Sequence, residues 1–467
     1  MAMKSTFYGA LLLSLAACSA GGLTSSLPNN AQRSARATSS YEVVYSFRGA
    51  PDGYVPMGGL VSDDSGRLYG VTNYGGSPLR GCNGSAVGCG TFFTFDPPSA
   101  QETVLYSFGR TQDDAQLPNS LLFHNGSFYG TSQDGGTSAS LGTVFKIAPP
   151  AREGGQWNET ILHRFHGSPS DGSSPSQITI DATGTIYGAA GDGGRVTKCF
   201  LGCGAIFRLT PPPAGKGTWR ETILHSFAGV PDGSAPSSLI LAPSGTLYGE
   251  TNAGGHSSAC VGRQNLGCGT IFALKPSRRG SRWIETIVHS FKGPKAPKND
   301  GEFPYGIALS SDGALYGVTA YGGPPQRCYT QGYPWSGCGT FFLLKPTAGE
   351  PARWTESIPY FFKGGASDGA TPDSITSEGG GFYGTTVKGG GGYCERGAGC
   401  GTLFHLTPSR RRTTWTETIA HSFSGGTADG LDPGGTIVAD HNGLYGITLY
   451  GGAFCLFGCG TIYELQP

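Results

Sequence analysis

An Asp followed four residues later by Pro recurs seven times along this chain, at Asp52, Asp114, Asp171, Asp232, Asp300, Asp368 and Asp429, at intervals of 57 to 68 residues. A repeat of that length constrains the fold more than any local signal, because one short unit cannot bury its own apolar faces and must stack on copies of itself. Each copy continues with an aromatic-Gly pair (Tyr69-Gly70 in the first, Tyr445-Gly446 in the last), then Gly-Gly, then a Gly-Thr step that is Gly204-Ala205 once.

Four strands are legible in each copy. In the fourth they are expected at Ser238–Leu241, Thr246–Thr251, Thr270–Lys275 and Trp283–Phe291, separated by Gly and Pro turns. With 80 Gly and 31 Pro in 467 residues, the composition then reads as many tight turns and not as disorder. The expected fold class is all-β, a seven-bladed β-propeller of four-stranded blades. The units are approximately 48–108, 109–165, 166–227, 228–291, 292–362, 363–423 and 424–467 plus 41–47. The last copy stops at Tyr463-Glu464-Leu465, one strand short, and Tyr41–Phe47 matches the missing strand. That N-terminal strand is therefore expected to complete the last blade and close the ring, removing a free edge.

Units of the form xETIxHSFxGxxDGxxPxxLIxxxxGxLYGxTxxGG…GCGTxF resemble the Gloeo-Verruco (GloVer) tandem repeats of exported bacterial proteins. The resemblance covers about residues 41–467. It implies export and a repeat architecture, and it brings no catalytic residue. The second copy departs from the pattern by lacking cysteines.

Residues 1–18 carry Lys4, a short apolar run and Leu15-Ala16-Ala17-Cys18, which is similar to a lipoprotein lipobox. An ordinary secretory signal with a chance cysteine is the alternative. Lipidation at Cys18 would anchor the chain to the cell envelope, with outer-membrane sorting expected from Ser19 and the periplasmic or surface side open. Residues 19–40 read as a flexible tether. Thirty-two basic and 32 acidic residues give no basic footprint, which argues against a nucleic-acid partner. A monomer without cofactor is expected.

Twelve further cysteines fall in local pairs between the Gly-Gly and Gly-Thr steps: Cys82/Cys89, Cys199/Cys203, Cys260/Cys268, Cys328/Cys338, Cys394/Cys400 and Cys455/Cys459. In an exported chain these read as disulfides. The metal alternative suffers because structural zinc needs four ligands and no His accompanies the pairs. Alternating strand direction puts these loops and the Asp-Gly turns on one face. Residues on that face that break the repeat are the binding candidates: Tyr321, Arg327, Tyr329, Tyr333, Trp335, Tyr393, Arg396, Tyr74 and Tyr450. Aromatics beside Arg and neutral polar groups suit stacking on sugar rings or gripping a peptide; ordinary loop decoration is the bland alternative. The motif Asp residues read as turn formers with Gly at positive φ, the LYG tyrosines as packing between blades, and the repeated histidines His163, His225, His289 and His421 as structural.

No GxSxG, HExxH or phosphate loop is present. The expectation is a non-enzymatic binding or scaffold module for a polysaccharide or envelope protein. A carbohydrate-active hydrolase or lyase on a propeller is the rival.

Overall fold

The computed structural model describes residues 40–77, 87–195, 198–213, 217–257, 260, 266–277, 282–293, 299–324, 328, 337–347, 349–394, 397–410, 414–440 and 443–466. Among these are twenty-eight β-strands and one short 3-10 turn. The second to sixth repeats each form a four-stranded antiparallel sheet of consecutive strands. Strands of the first and seventh repeats share an eight-stranded sheet through a single parallel bridge, Gly59 to Thr436. The fold is all-β and propeller-like.

In the fourth repeat the strands are Gly233–Leu241, Leu247–Gly254, Thr270–Pro276 and Trp283–Ser290. The first begins five residues earlier than expected from Ser238. Its ladder skips between Pro236 and Leu239, and a bulge of that kind breaks the alternation by which a strand is read from sequence. At the N-terminus, Ser40–Ser46 pairs antiparallel with Thr461–Gln466. The Phe47 N–H donates to the Gly460 carbonyl at 3.0 Å.

The motif Pro marks a seam between successive repeats. The residue before it (Val55, Leu117, Ser174, Ala235, Phe303, Thr371 or Asp432) has φ between 52° and 56°, a left-handed conformation costing roughly 1–2 kcal/mol outside glycine. A hydrogen bond offsets that cost. The Leu117 N–H donates to the Cys89 carbonyl at 2.9 Å, Ala235 to Cys203 at 3.0 Å, and Val55 to Cys459 at 3.0 Å. The Pro ring then lies against the Gly of the preceding Gly-Thr step. A Cβ on Gly90 would sit 2.6 Å from Pro118 Cδ and 2.3 Å from the Thr72 carbonyl oxygen, at φ 107°. Gly90→Ala is therefore expected to cost at least about 3 kcal/mol, from backbone strain plus overpacking. Urea unfolding checks this, and a loss below 1 kcal/mol, the scale of one ordinary exposed substitution, would refute the seam.

The Gly after each motif Asp corrects an expectation. Among those following Asp in this motif, only Gly301 has a positive φ, at 130°. The others are required by space: a Cβ on Gly53 would lie 2.3 Å from Thr72 Cγ2, and one on Gly233 2.5 Å from Thr251 Cγ2. The second repeat carries Ala115 at this place, and there the equivalent of Thr72, opposite the motif Pro, is Ser132, which has no such methyl. The Gly-Ala exception has a similar cause. The Thr72 and Thr91 hydroxyls bond at 2.8 Å, as do Thr251–Thr270 and Thr448–Thr461. In the third repeat both positions are alanine, Ala190 opposite Ala205.

Apolar packing fills the space between adjacent sheets. The LYG tyrosines do lie there: Tyr69 is 4.4 Å, ring to ring, from Phe128 of the next repeat, and Tyr316 is 5.8 Å from Trp415. Phe92, Phe93, Phe145, Phe207, Phe272, Phe342 and Phe404 are fully buried.

Candidate functional site

The loops after the second strands and the turns after the fourth strands meet on one face. The second Gly of each Gly-Gly pair reaches the motif Asp through the backbone: Gly76 N–H donates to the Asp52 carbonyl at 2.9 Å, and Gly255 to Asp232 at 2.7 Å. A Cβ on Gly229, in the turn leaving the third repeat, would lie 3.7 Å from both Cys199 Sγ and Cys203 Sγ. Five disulfides staple this face: Cys199–Cys203, Cys260–Cys268, Cys328–Cys338, Cys394–Cys400 and Cys455–Cys459. The sixth expected pair includes Cys82, which lies outside the described residues. Structural disulfides form in oxidising compartments, so the chain belongs to an exported environment. Among the described residues no helix is long and apolar enough to cross a membrane.

One register on this face carries the variation. Where the first and second strands of each sheet end, a cross-strand pair differs from repeat to repeat. The pairs are Tyr54/Tyr74, Gln116/Asp134, Ser173/Asp192, Ser234/Ala253, Glu302/Tyr321, Ala370/Lys388 and Leu431/Tyr450. Three predicted residues, Tyr74, Tyr321 and Tyr450, occupy this layer. Two of them come together. Tyr54 and Tyr74 lie 5.8 Å apart, ring to ring, and the Tyr450 hydroxyl is raised above its ordinary pKa by burial, then by Tyr54, Asp432 and Tyr74 around it. The sequence reading missed Tyr54, Asp432 and Lys388. Comparing the seven copies at this single register would have found the first and last.

Tyr393 stands apart from that layer. It is 87% exposed and borders a cavity of about 320 Å³ lined by Cys328, Ala370, Thr371, Lys388 and the Gly390–Gly392 run. Arg327, Tyr329, Tyr333, Trp335 and Arg396 lie outside the described residues. Phe200, Leu456 and Phe457, within the short disulfide loops, are strongly exposed as well.

A second constellation recurs at the seams and was not anticipated. The His or Tyr ending each fourth strand faces the motif Asp and a Glu from the fourth strand of the next repeat. Tyr45 Oη donates to Asp52 Oδ2 at 2.8 Å and lies 3.3 Å from Glu102 Oε2. Tyr106 donates to Glu159 at 3.0 Å and Tyr360 to Asp368 at 2.8 Å. His163 lies 3.1 Å from Asp171 and His421 3.1 Å from Asp429. At the seventh seam Tyr41 takes the place of the Glu, donating to Asp429 at 2.8 Å and stacking on His421. His163 and His421 thus tie the end of their strand to the motif Asp of the next repeat. The signal was present in sequence, since Glu of ETI and His or Tyr of HSF keep a fixed four-residue spacing.

Burial and crowding shift these acids. Burial and the Asp52 charge push the Glu102 carboxyl up to about 8. Burial with the neighbouring motif Asp lifts Glu159, Glu221 and Glu417 to about 7. The motif acids Asp171 and Asp429 go the other way. Burial opposes their ionisation, but the bonds from His163 and His421 and from backbone N–H groups hold both below the usual range. Nearer the first strands, Asp373 is lifted to about 7 by burial, against the Thr385 hydroxyl bond and with the Asp432 charge adding to the rise.

No curated protein sequence matches this chain. A solved structure of catalytically inactive virginiamycin B lyase from Staphylococcus aureus with quinupristin is 16% identical, with TM-score 0.50, covering 92% of this chain and all of that one. PorZ, a surface component of the type-IX secretion system of Porphyromonas gingivalis, is 14% identical with TM-score 0.49 over 90% of this chain and 48% of that one. A putative 6-phosphogluconolactonase from Bacteroides fragilis is 12% identical with TM-score 0.46, over 77% of this chain and 82% of that one. At 16% identity the likeness to the lyase speaks to a propeller-like fold and not to activity. The Gloeobacter/Verrucomicrobia repeat model matches residues 29–194, 81–324 and 160–395, so that most of the chain is covered and the chain belongs to this repeat family.

Proposed function

We propose that the chain is a seven-bladed propeller, closed by strand Ser40–Ser46, that binds a neutral polysaccharide on its disulfide-stapled face. In this reading it is an exported module held at the cell envelope by lipid on Cys18. Pairing of the two terminal strands, the Val55–Cys459 bond and the Gly460–Pro56 contact support closure. The observation that carries the binding reading is the variable register. Its residues differ from repeat to repeat, and within it Tyr54, Tyr74 and Tyr450 are each only partly buried. Tyrosine offers a flat apolar face and a hydroxyl at little entropic cost, which suits a sugar ring.

The test is calorimetric titration of soluble neutral oligosaccharides into the mature domain. Tyr74→Ala and Tyr450→Ala are each expected to weaken binding roughly tenfold, the loss of about 1.4 kcal/mol of stacking. Unchanged affinity in both variants would move the site to the Lys388–Tyr393 cavity or remove it. A hydrolase reading rests on one observation, the half-buried Asp373 carboxyl with its pKa lifted to about 7 beside Asp432, because such a pair can divide acid and base roles. Released reducing ends that disappear in Asp373→Asn would favour it over binding alone.

A further inference from the structure

We propose that the seam between the fourth and fifth repeats is a divalent-metal site, with His289, Asp300 and Glu356 as ligands for zinc or a similar transition-metal ion. His289 Nε2 lies 3.0 Å from Glu356 Oε1 and 3.4 Å from Asp300 Oδ2, and the three donor atoms fall within 4.8 Å of one another. Ligands about 2.1 Å from one ion and 90–110° apart sit roughly 3.0–3.4 Å from each other. The two distances from His289 therefore match edges of a zinc polyhedron, and the third lies within 4.8 Å.

The orientation of the donors is the independent observation. His289 Nε2, Asp300 Oδ2 and Glu356 Oε1 are all buried, and none has an aligned hydrogen-bond partner. Asp300 is only 2% exposed, and its Oδ2 meets His289 Nε2 only at 3.4 Å and without an aligned hydrogen bond, a weak return for burying a carboxylate oxygen. The three donor atoms come from different strands and lie together without an aligned hydrogen bond among them. Other seams make the same contact with an aligned hydrogen bond. The Tyr45 and Tyr360 hydroxyls donate directly to their Asp, at 2.8 Å, and His163 and His421 bond theirs at 3.1 Å. Asp300 is also held for ligation from behind, its Oδ1 accepting the Lys292 N–H at 2.7 Å, as second-shell bonds hold ligating carboxylates elsewhere. His289 and Glu356 side chains keep 13% and 16% exposure, leaving a path for a water as further ligand.

The neighbouring seam carries a related set, His225, Asp232 and Glu285. There Asp232 Oδ2 already accepts the Ala228 N–H at 2.9 Å, so that set is the weaker one. The proposal is independent of the glycan reading, because it concerns the seam and not the variable layer.

The experiment uses untagged, disulfide-intact protein stripped with EDTA and dialysed free of it. Zinc is titrated against a chromogenic chelator, alongside His289→Tyr, a substitution that the seams at Asp52, Asp114 and Asp368 make natively. Wild type is expected to bind zinc with Kd below roughly 1 µM, and the variant to lose one equivalent while its metal-free melting temperature stays within about 3 °C. Absence of micromolar zinc binding, or an unchanged stoichiometry in His289→Tyr, overturns the site. If that variant misfolds, cobalt spectra of wild type decide: d–d bands at one equivalent support the site, and their absence rejects it.

Discussion

Deleting residues 40–47 is expected to abolish the folded state, while relocating them behind Gln466 preserves it. The deletion removes Phe47, fully buried against Phe93 and the last repeat, a loss of about 3–5 kcal/mol on its own. It also removes the ladder to Thr461–Gln466 and the Tyr41 and Tyr45 bonds to Asp429 and Asp52. Against a total stability of roughly 5–15 kcal/mol, that sum leaves no stable native state. The relocated version is a circular permutant. It begins at Ala139, runs to Gln466, crosses a four- to six-residue turn to Ser40, and ends at Ser138. Ser138 and Ala139 are exposed in the loop that lacks cysteines, where new termini are tolerated. The turn would recreate the hairpin formed in the first repeat between Asp96 and Gln101. Circular dichroism melts check both proteins. A deletion variant that melts like wild type would mean that Ser40–Ser46 does not close the fold.

Stability is expected to be greatest near pH 5 and to fall toward pH 8, with Tm lower by roughly 5 °C or more at the higher value. Glu102, Glu159, Glu221, Glu417 and Asp373 have native pKa values raised to about 7 or 8, against ordinary carboxyl values of about 4. Between those limits the native state keeps protons that the unfolded chain has released. Raising pH through that window therefore favours unfolding. Below it the sign reverses. Asp63, Asp171, Asp181 and Asp429 are held below their ordinary values, mainly by hydrogen bonds that outweigh burial. Their contribution is complete above about pH 4 and is lost as pH drops through the native values. Melts in EDTA from pH 4 to 9 measure the curve. Glu102→Gln, which removes the acid facing Tyr45, Asp52 and Arg48, should raise Tm at pH 8 and flatten the slope. A Tm that is level or rising from pH 5 to 8 would contradict the raised carboxyls.

Much of this was legible in the chain because the signals were local and repeated. Strand pattern, turn residues and paired cysteines each sit within a few positions, so the four-stranded unit and five stapled loops could be read directly. The Asp-Gly motif shows where local reading goes astray. Gly53 looks like a turn glycine, yet its constraint is the Thr72 methyl on the next strand. Only the sheet places those two atoms together. Ala115, with Ser132 in the place that Thr72 holds, hides the same constraint as a compensated pair, which no single repeat could have revealed.

The candidate site divides along the same line. Residue type alone marked Tyr74, Tyr321, Tyr393 and Tyr450 as departures from the repeat. It could not say that Tyr74 and Tyr450 share a cluster with Tyr54 and Asp432 while Tyr393 borders a separate cavity. Those partners are set by which sheets become neighbours, and neighbours come from chain segments tens to hundreds of residues apart. The seam acids make the point most sharply. Glu356 and His289 are 67 positions apart in sequence and 3.0 Å apart in space. The sequence by itself determined the repeat, the strands and the stapled loops, because short-range sterics and alternation decide those. Tertiary structure alone decided which polar groups share a buried space, because desolvation and proton sharing depend on distances that only packed sheets create.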